Sequence, residues 1–509
     1  MKKLQCVIFL TGLMTVSTAS AQFDGPSIGF FHAHTDVGSP AIDGHSVYRG
    51  PEQEYLLRGS GNNIWFGKDS FSFLWKQMKG DFILEARVSF RGEGTDPHRK
   101  TGLMFRSDLS PGATHVSCVV HGDGLTSLQY RSSKGGNTEE MQFDLKAPEM
   151  FRLEKKGNRF IMSVASFGEP YRQKSIEVET GDSLLAGLFI CSHNDTVTEE
   201  ALFSNVRIFG TAPDDLVYYE TYLGSLLEVM EVETGHRKVL DGAEGSWQAP
   251  NWTPDGRYLI YNTEGLLYKY DLELRHSRRL PTGFANSNNN DHVLSFNGER
   301  IGISHHAQED QGRSVIYTVP ADGGTPQRVT PESPSYLHGW SPDGRYLVYT
   351  GGREENYDIY KIPVEGGKEL RLTEAPELDD GPEYSPDGKY IYFNSARTGT
   401  MQLWRMNPDG SNPTQLTFDT FNDWFPHVSP DNRWILFLSY PPEVPAESHP
   451  FYKRVYLRVL AVEDLAQNDP ENVEPRTVAY LYGGQGSINV PSWSPDSKKV
   501  AFVSNGFFQ

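Results

Sequence analysis

Short runs that alternate apolar and polar residues, each closed by turn residues, fill most of this chain. Phe82-Ile83-Leu84-Glu85-Ala86-Arg87-Val88, Gly102-Leu103-Met104-Phe105-Arg106, Phe160-Ile161-Met162-Ser163-Val164 and Arg345-Tyr346-Leu347-Val348-Tyr349 are examples. A two-residue period places successive side chains on opposite faces of a strand, so these runs read as half-buried β-strands. From about Phe23 to Gly210 the runs are regular, short and free of helical period, which predicts a β-sandwich.

The second half is organised by a repeat. NWTPDGRYLIY begins at Asn251, GWSPDGRYLVY at Gly339, EYSPDGKYIYF at Glu383, HVSPDNRWILF at His427 and SWSPDSKKVAF at Ser492; a weaker copy, VLSFNGERIGI, begins at Val293. In four of the six phrases an aromatic residue ends one strand, and Ser-Pro-Asp-Gly or a close variant makes a tight turn. Proline presets φ, Asp bonds nearby backbone and Gly accepts positive φ. Two further strands follow, such as Tyr357–Ile362 and the strand ending at Leu372-Thr373. Four short strands per repeat, spaced about 40 to 65 residues apart, describe propeller blades. Six starts are present, and the last copy stops at Gln509 after two strands. The segments Leu223–Thr234 and Arg237–Leu240 supply the missing pair, so a blade built from both ends of the region is expected to close the ring.

These phrases resemble TolB-like six-bladed propellers over about residues 217–509. The resemblance implies the fold more than the activity, because such blades serve transport accessory proteins, peptidases and polysaccharide lyases. The family's namesake has a small α/β domain before its propeller, and the sequence carries no such pattern there. The related peptidases append an α/β-hydrolase domain with a Gly-x-Ser-x-Gly elbow; residues 217–509 contain no such elbow, so serine peptidase activity is not expected. In the first half, Asp36-Val37-Gly38-Ser39-Pro40, Gly59–Trp65, Met78-Lys79-Gly80-Asp81-Phe82 and Ser204–Ile208 resemble a concanavalin-like (laminin-G-like) jelly roll, a module that often accompanies carbohydrate-active domains. The expected organisation is a signal peptide (1–21), a sandwich (22–210), a linker (211–216) and the propeller (217–509).

The signal peptide rests on Lys2 and Lys3, the apolar stretch Val7–Val16 and the small-residue site Ala19-Ser20-Ala21. Export to the periplasm or beyond follows, with no later segment apolar and long enough to span a membrane. A net charge of −19 repels nucleic acid. Cys118 and Cys191 remain after cleavage; an oxidising compartment permits a bridge, and two buried free thiols is the preferred expectation.

Departures from the repeat locate candidate chemistry. Two residues before the aromatic position of each blade the copies read Pro250, His292, His338, Pro382, Pro426 and Pro491; one residue before it, Glu383 and His427 stand out. Asn289, Asn290, Asp291, Asp379, Asp380, Asp423 and Trp424 lie just upstream. Connections between second and third strands hold His305, His306, Arg353, Arg397 and a long loop with His449. All these segments belong to one face of a propeller, so a ligand site at the channel mouth is expected. Convergent imidazoles suit a divalent metal, with His292, His338 and His427 as ligands. In the sandwich, Arg106, His121, Gln129 and His193 are candidate sugar contacts. Trp65 and Trp75 are possible platforms whose ordinary role is core packing.

Three functions are compatible with this pattern: an exported envelope protein that binds a glycan or another envelope protein, a carbohydrate-active enzyme (a metal-assisted lyase or hydrolase), and a TolB-like transport accessory protein.

Overall fold

The structure is a computed structural model that describes residues 28–508; the expected signal peptide lies outside them. Nearly all regular structure is β, and no helix among the described residues is long and apolar enough to cross a membrane.

The first part forms two seven-stranded antiparallel sheets. One runs from the edge strand Ala33–Val37 to Glu139–Gln142, the other from Arg172–Glu177 to His45–Arg49. Leu74, Phe105, Leu128 and Leu188 of the first sheet share one apolar core with Leu84, Phe151, Phe160 and Phe203 of the second. Phe82 meets Phe105 across the gap, with ring centroids 4.6 Å apart. The alternating pattern thus does what it predicts, sending every second side chain into a shared core. Both cysteines are buried and free. Cys118 belongs to the core between the sheets, Cys191 to a second cluster with Phe71, Phe73 and Phe189 on the other face of its own sheet. Side chains on opposite faces cannot meet in a disulfide.

The remainder is a six-bladed propeller. Five blades are four-stranded antiparallel sheets; the first comprises Gln248–Trp252, Tyr258–Thr263, Leu266–Asp271 and His276–Arg279. The sixth joins the two ends of the region. Gly224–Glu231 pairs with Lys499–Gly506 in unbroken register from Gly224↔Gly506 to Glu231↔Lys499, and Arg237–Ala243 forms the outer strand. Its inner strand is reduced to a single bridge between Trp493 and Val500.

The repeated turn shows why its residues recur. Ser341 Oγ donates to Asp343 Oδ1 (2.6 Å) and accepts from Tyr346 N (2.9 Å), while Gly344 sits at φ +69° and donates its N–H to Ser341 O (2.8 Å). Thr253/Asp255, Ser385/Asp387, Ser429/Asp431 and Ser494/Asp496 repeat the hydroxyl–carboxylate bond, and Ser295 with Asn297 keeps its shape in the weaker copy. The aromatic position pins blade to blade: Trp340 Nε1 donates to Val293 O and Trp493 Nε1 to His427 O.

A buried ion network welds the two parts together. Glu228, on the closing blade, accepts from Arg207 of the first part (2.6 Å), from Arg237 (2.7 Å) and from Ser504 of the last strand (2.5 Å). Arg237 also reaches Glu85 (3.2 Å), which is held by Arg152 (2.9 Å). Burial opposes the charge on Glu228, but the two guanidiniums outweigh it and hold the carboxyl down at about 2. Gln53 covers the outer edge of the sixth blade by donating to and accepting from the backbone of Val239, both at 2.8 Å. The segment between the two parts is anchored as well, with Ala212 N bonded to Tyr482 Oη and Leu223 N to Tyr452 Oη.

Replacing Glu228 by Ala takes the carboxylate from buried Arg207 and leaves buried Arg237 with Glu85 alone as its ionic partner. The expected cost is about 3–5 kcal/mol, read as a lowered urea midpoint of the whole chain. A loss below about 1 kcal/mol, the scale of an exposed pair, would show that the network does not hold the two parts together.

Candidate functional site

The inner strand of each complete blade contains a register shift, and these irregularities build the channel mouth. The shift falls between Gln248 and Asn251, Asn288 and His292, Leu337 and Gly339, Asp380 and Glu383, and Trp424 and His427. A proline fits there because the interrupted ladder asks for no N–H. Ala249, Gly381 and Phe425, each before a proline, take positive φ of 54°, 62° and 56°. For Phe425 that backbone is strained, and its ring lies against both His338 (5.8 Å) and His449 (5.5 Å).

Above these shifts lies a cavity of about 880 Å³. Its floor holds Asp291, His338, Asp380, His449, Gln485 and Asn489; its wall includes Asn288, Asn289, Asn290, Tyr336 and Phe425, and its rim Tyr219, Tyr222, Tyr357, Glu264 and Glu447. Tyr219 and Tyr222 come from the segment between the two parts and pack edge-on against Phe451, at 5.2 and 6.0 Å. The connecting segment therefore delivers residues to the propeller mouth.

The floor is electrostatically polarised. His338 Nε2 lies 3.3 Å from Asp380 Oδ1, which also accepts from Thr350 Oγ1 (2.6 Å) and Gly381 N (2.7 Å). Burial disfavours the charge on Asp380, but the bond to His338 and its charge draw the carboxyl down to about 2. His338 is raised: burial works against the imidazolium, and Asp380 and Asp291 outweigh it. Its Nδ1 is buried, and a bond to the Asn489 backbone adds to the upward shift. Asp291, only 4% exposed, accepts a single side-chain bond, from Asn289 Nδ2 at 2.7 Å. Burial lifts its carboxyl to about 6, assisted by Asp380 and opposed by His338. Beside this trio, His449 Nδ1 bonds Gln485 Oε1 (2.7 Å), which also accepts from Asn489 Nδ2 (2.9 Å); burial lowers the His449 pKa.

Among the residues singled out in the sequence, Asn289, Asn290, Asp291, His306, His338, Asp380 and His449 line this cavity. The others have partners within the blades. His292 Nε2 donates to Ile260 O, and burial lowers its pKa to about 4. His427 binds Glu383 through Nδ1 (2.6 Å) and Ile488 O through Nε2, while Glu383 also accepts Val428 N. Asp423 pairs with Arg458 (2.6 Å), Arg397 grips Asp379 with both oxygens, and Arg353 grips Glu369. Trp424 is fully buried beneath His449. His305 packs between Phe284 and Tyr317. Among the described residues no three His, Cys, Asp or Glu side chains are placed to hold a metal, so the expected site of His292, His338 and His427 is not assembled. Two of these three rings are taken up by backbone carbonyls.

In the first part, Arg106 is fully buried, donating to Asp108 O and Ser110 O and lying 3.4 Å from Asp69. Gln129 Nε2 is 3.2 Å from His121 Nε2, and His193 lies near Asp96 and His98. Lys100 sits over the Trp65 ring, and Trp75 donates to Thr35.

Tyr219, Tyr222, Gln485 and Asn489 escaped the repeat comparison because they occupy connections, and Tyr336 because it lies on an inner strand ahead of the repeated phrase. The tyrosine-rich stretch Val217–Tyr222 is the signal that marks the first two.

Fold and mouth together define a six-bladed propeller with a polar, aromatic-rimmed cavity. Comparison with known proteins agrees with that class. The TolB beta propeller domain matches residues 336–443. An uncharacterized protein of Agrobacterium fabrum is 44% identical over 280 residues, 55% of this chain and 92% of the relative. The solved structure of a putative TolB from Agrobacterium tumefaciens is 42% identical, covers 56% of this chain and 99% of its own, and superposes with a TM-score of 0.52. TolB from Acinetobacter baumannii is 14% identical, with a TM-score of 0.40 over 65% of this chain and 79% of its own. The chain belongs to the TolB β-propeller family.

Because the folded state keeps Asp291 protonated up to about pH 6 while the unfolded chain releases that proton near pH 4, the ionised carboxylate costs stability above pH 6. A shift of about two units corresponds to about 3 kcal/mol. Asp291→Asn should raise the urea midpoint at pH 8 and leave it nearly unchanged at pH 4. A variant less stable than the parent at pH 8 would contradict this reading of the floor.

Proposed function

We propose that the protein is an exported binding protein of the cell envelope that holds a glycan in the propeller mouth. In this reading residues 1–21 are removed on export, residues 22–210 form a concanavalin-like module, 211–216 the linker and 217–509 the propeller. The observation that carries the proposal is the lining of the cavity. Tyrosine and phenylalanine rings stand beside a dense set of carboxamides, among them Asn288, Asn289, Asn290, Gln485 and Asn489. Rings offer apolar faces to the C–H faces of a sugar, and planar amides meet paired hydroxyls, so this mixture suits a polyhydroxylated ligand. Family membership supports an envelope role in the same direction.

A lyase acting on acidic oligosaccharides is the weaker reading. Substrate carboxylates call for cationic partners, and the cavity is lined by neither lysine nor arginine. A transport accessory role fits the family and leaves the sugar-like lining unexplained.

The test is a glycan screen on the purified mature chain, followed by calorimetry with the strongest ligand. Tyr336→Ala should weaken binding at least about tenfold, or 1.4 kcal/mol, without lowering the melting temperature by more than a few degrees. An unchanged affinity, or no saccharide binding at all, would overturn the proposal.

A further inference from the structure

The charge of the mouth narrows what its ligand can be. Four carboxylates line the cavity, those of Glu264, Asp291, Asp380 and Glu447. No lysine or arginine lines it. The imidazoles do not balance the account. His338 is committed to Asp380 at 3.3 Å, and His449 to Gln485 at 2.7 Å. His306 donates through Nδ1 to Gly312 O at 3.0 Å. Asp291 is left as a carboxylate 96% out of solvent whose sole side-chain donor is a neutral amide. The His338 charge eases the cost of that carboxylate without bonding it, and taking a carboxylate out of water with no bonded cation is expensive.

We propose that the mouth recognises an ammonium group, and that the glycan it binds is an oligosaccharide bearing free amino groups, with Asp291 as counter-ion. This rests on the glycan reading above and adds the charge of the ligand. An ammonium offers three donors, enough to reach an Asp291 oxygen and neighbouring carboxamide oxygens together. Tyr336 and Phe425 line the same space, and aromatic rings attract cations. Glu264 and Glu447 at the rim lend a negative field that draws a cationic oligomer in and turns a uronate away. The hydroxyls of the sugar fall to the amides of the wall. A peptide amine shares the ammonium, but it would leave the row of carboxamides at Asn288–Asn290 with few partners, so the amino sugar is favoured.

Calorimetry on the mature protein at pH 7 with glucosamine oligosaccharides, N-acetylglucosamine oligosaccharides of equal length and galacturonate oligosaccharides tests this. The free-amine oligomer should bind at least about tenfold more tightly than its acetylated counterpart, with no measurable galacturonate binding. Asp291→Asn should remove that preference by lowering affinity for the amine alone, and Glu264→Gln, at the rim, should lower it by a smaller factor that disappears in high salt. Equal or tighter binding of the acetylated oligomer, or an Asp291→Asn variant that folds and keeps its preference, overturns the ammonium proposal and leaves the glycan reading standing. Failure of every saccharide to bind overturns both. Binding of a lysine-rich peptide in place of all saccharides overturns the amino-sugar assignment as well.

Discussion

Glu228 stands where three separate stretches of chain meet. It lies on the strand Gly224–Glu231, bonds Ser504 on the final strand, and receives Arg207 from the last strand of the first part. The pairing that closes the propeller and the contact that docks the sheets onto it are therefore satisfied by the same carboxylate. Undocking strips Glu228 of Arg207 and opening the ring strips it of the Ser504 hydroxyl, so ring closure and docking act on one carboxylate. A pair of apolar surfaces would tolerate sliding; bonds of 2.5 to 2.7 Å to two guanidiniums and a hydroxyl do not.

The mouth inherits its geometry from that constraint. Docking fixes the path of residues 211–223, pinned at Ala212 and Leu223, and this path carries Tyr219 and Tyr222 to the rim. Closure sets the connection bearing Gln485 and Asn489 beside the loop bearing His449. Register shifts in the inner strands bring Asp291, His338, Asp380 and Phe425 to the floor. The cavity is thus assembled from the irregular parts of a regular fold. Its strained Phe425 and its buried Asp291 are features that stability alone would not select.

Much of the fold was legible in the sequence because repetition exposes it. The Ser-Pro-Asp-Gly turn encodes its own hydrogen bonds, and the truncated sixth copy points to strands from the other end of the region. The two-residue period marked the strands of the first part, although it does not reveal their order within each sheet. The site was legible only in part. Replacement of proline by histidine correctly drew attention to His338, which faces the cavity, but the same argument pointed to His292, whose ring turns to Ile260 O. A repeat shows that a residue is exceptional, not which way the side chain points. His427 and Glu383 are exceptional because they bind each other across two blades. Nothing in a periodic comparison could raise Tyr219, Gln485 or Asn489, since these residues occupy connections with no counterpart in the other blades.

The central claim is that the mouth built by closure and docking holds an amino-bearing glycan on Asp291. A crystal structure of the mature protein grown with a glucosamine oligosaccharide tests it most directly. The account predicts the sugar in the cavity, a nitrogen within about 3 Å of an Asp291 oxygen, and a sugar face against Tyr336. An oligosaccharide seated on the N-terminal sheets, or in the mouth with its amino group turned away from Asp291, would contradict it.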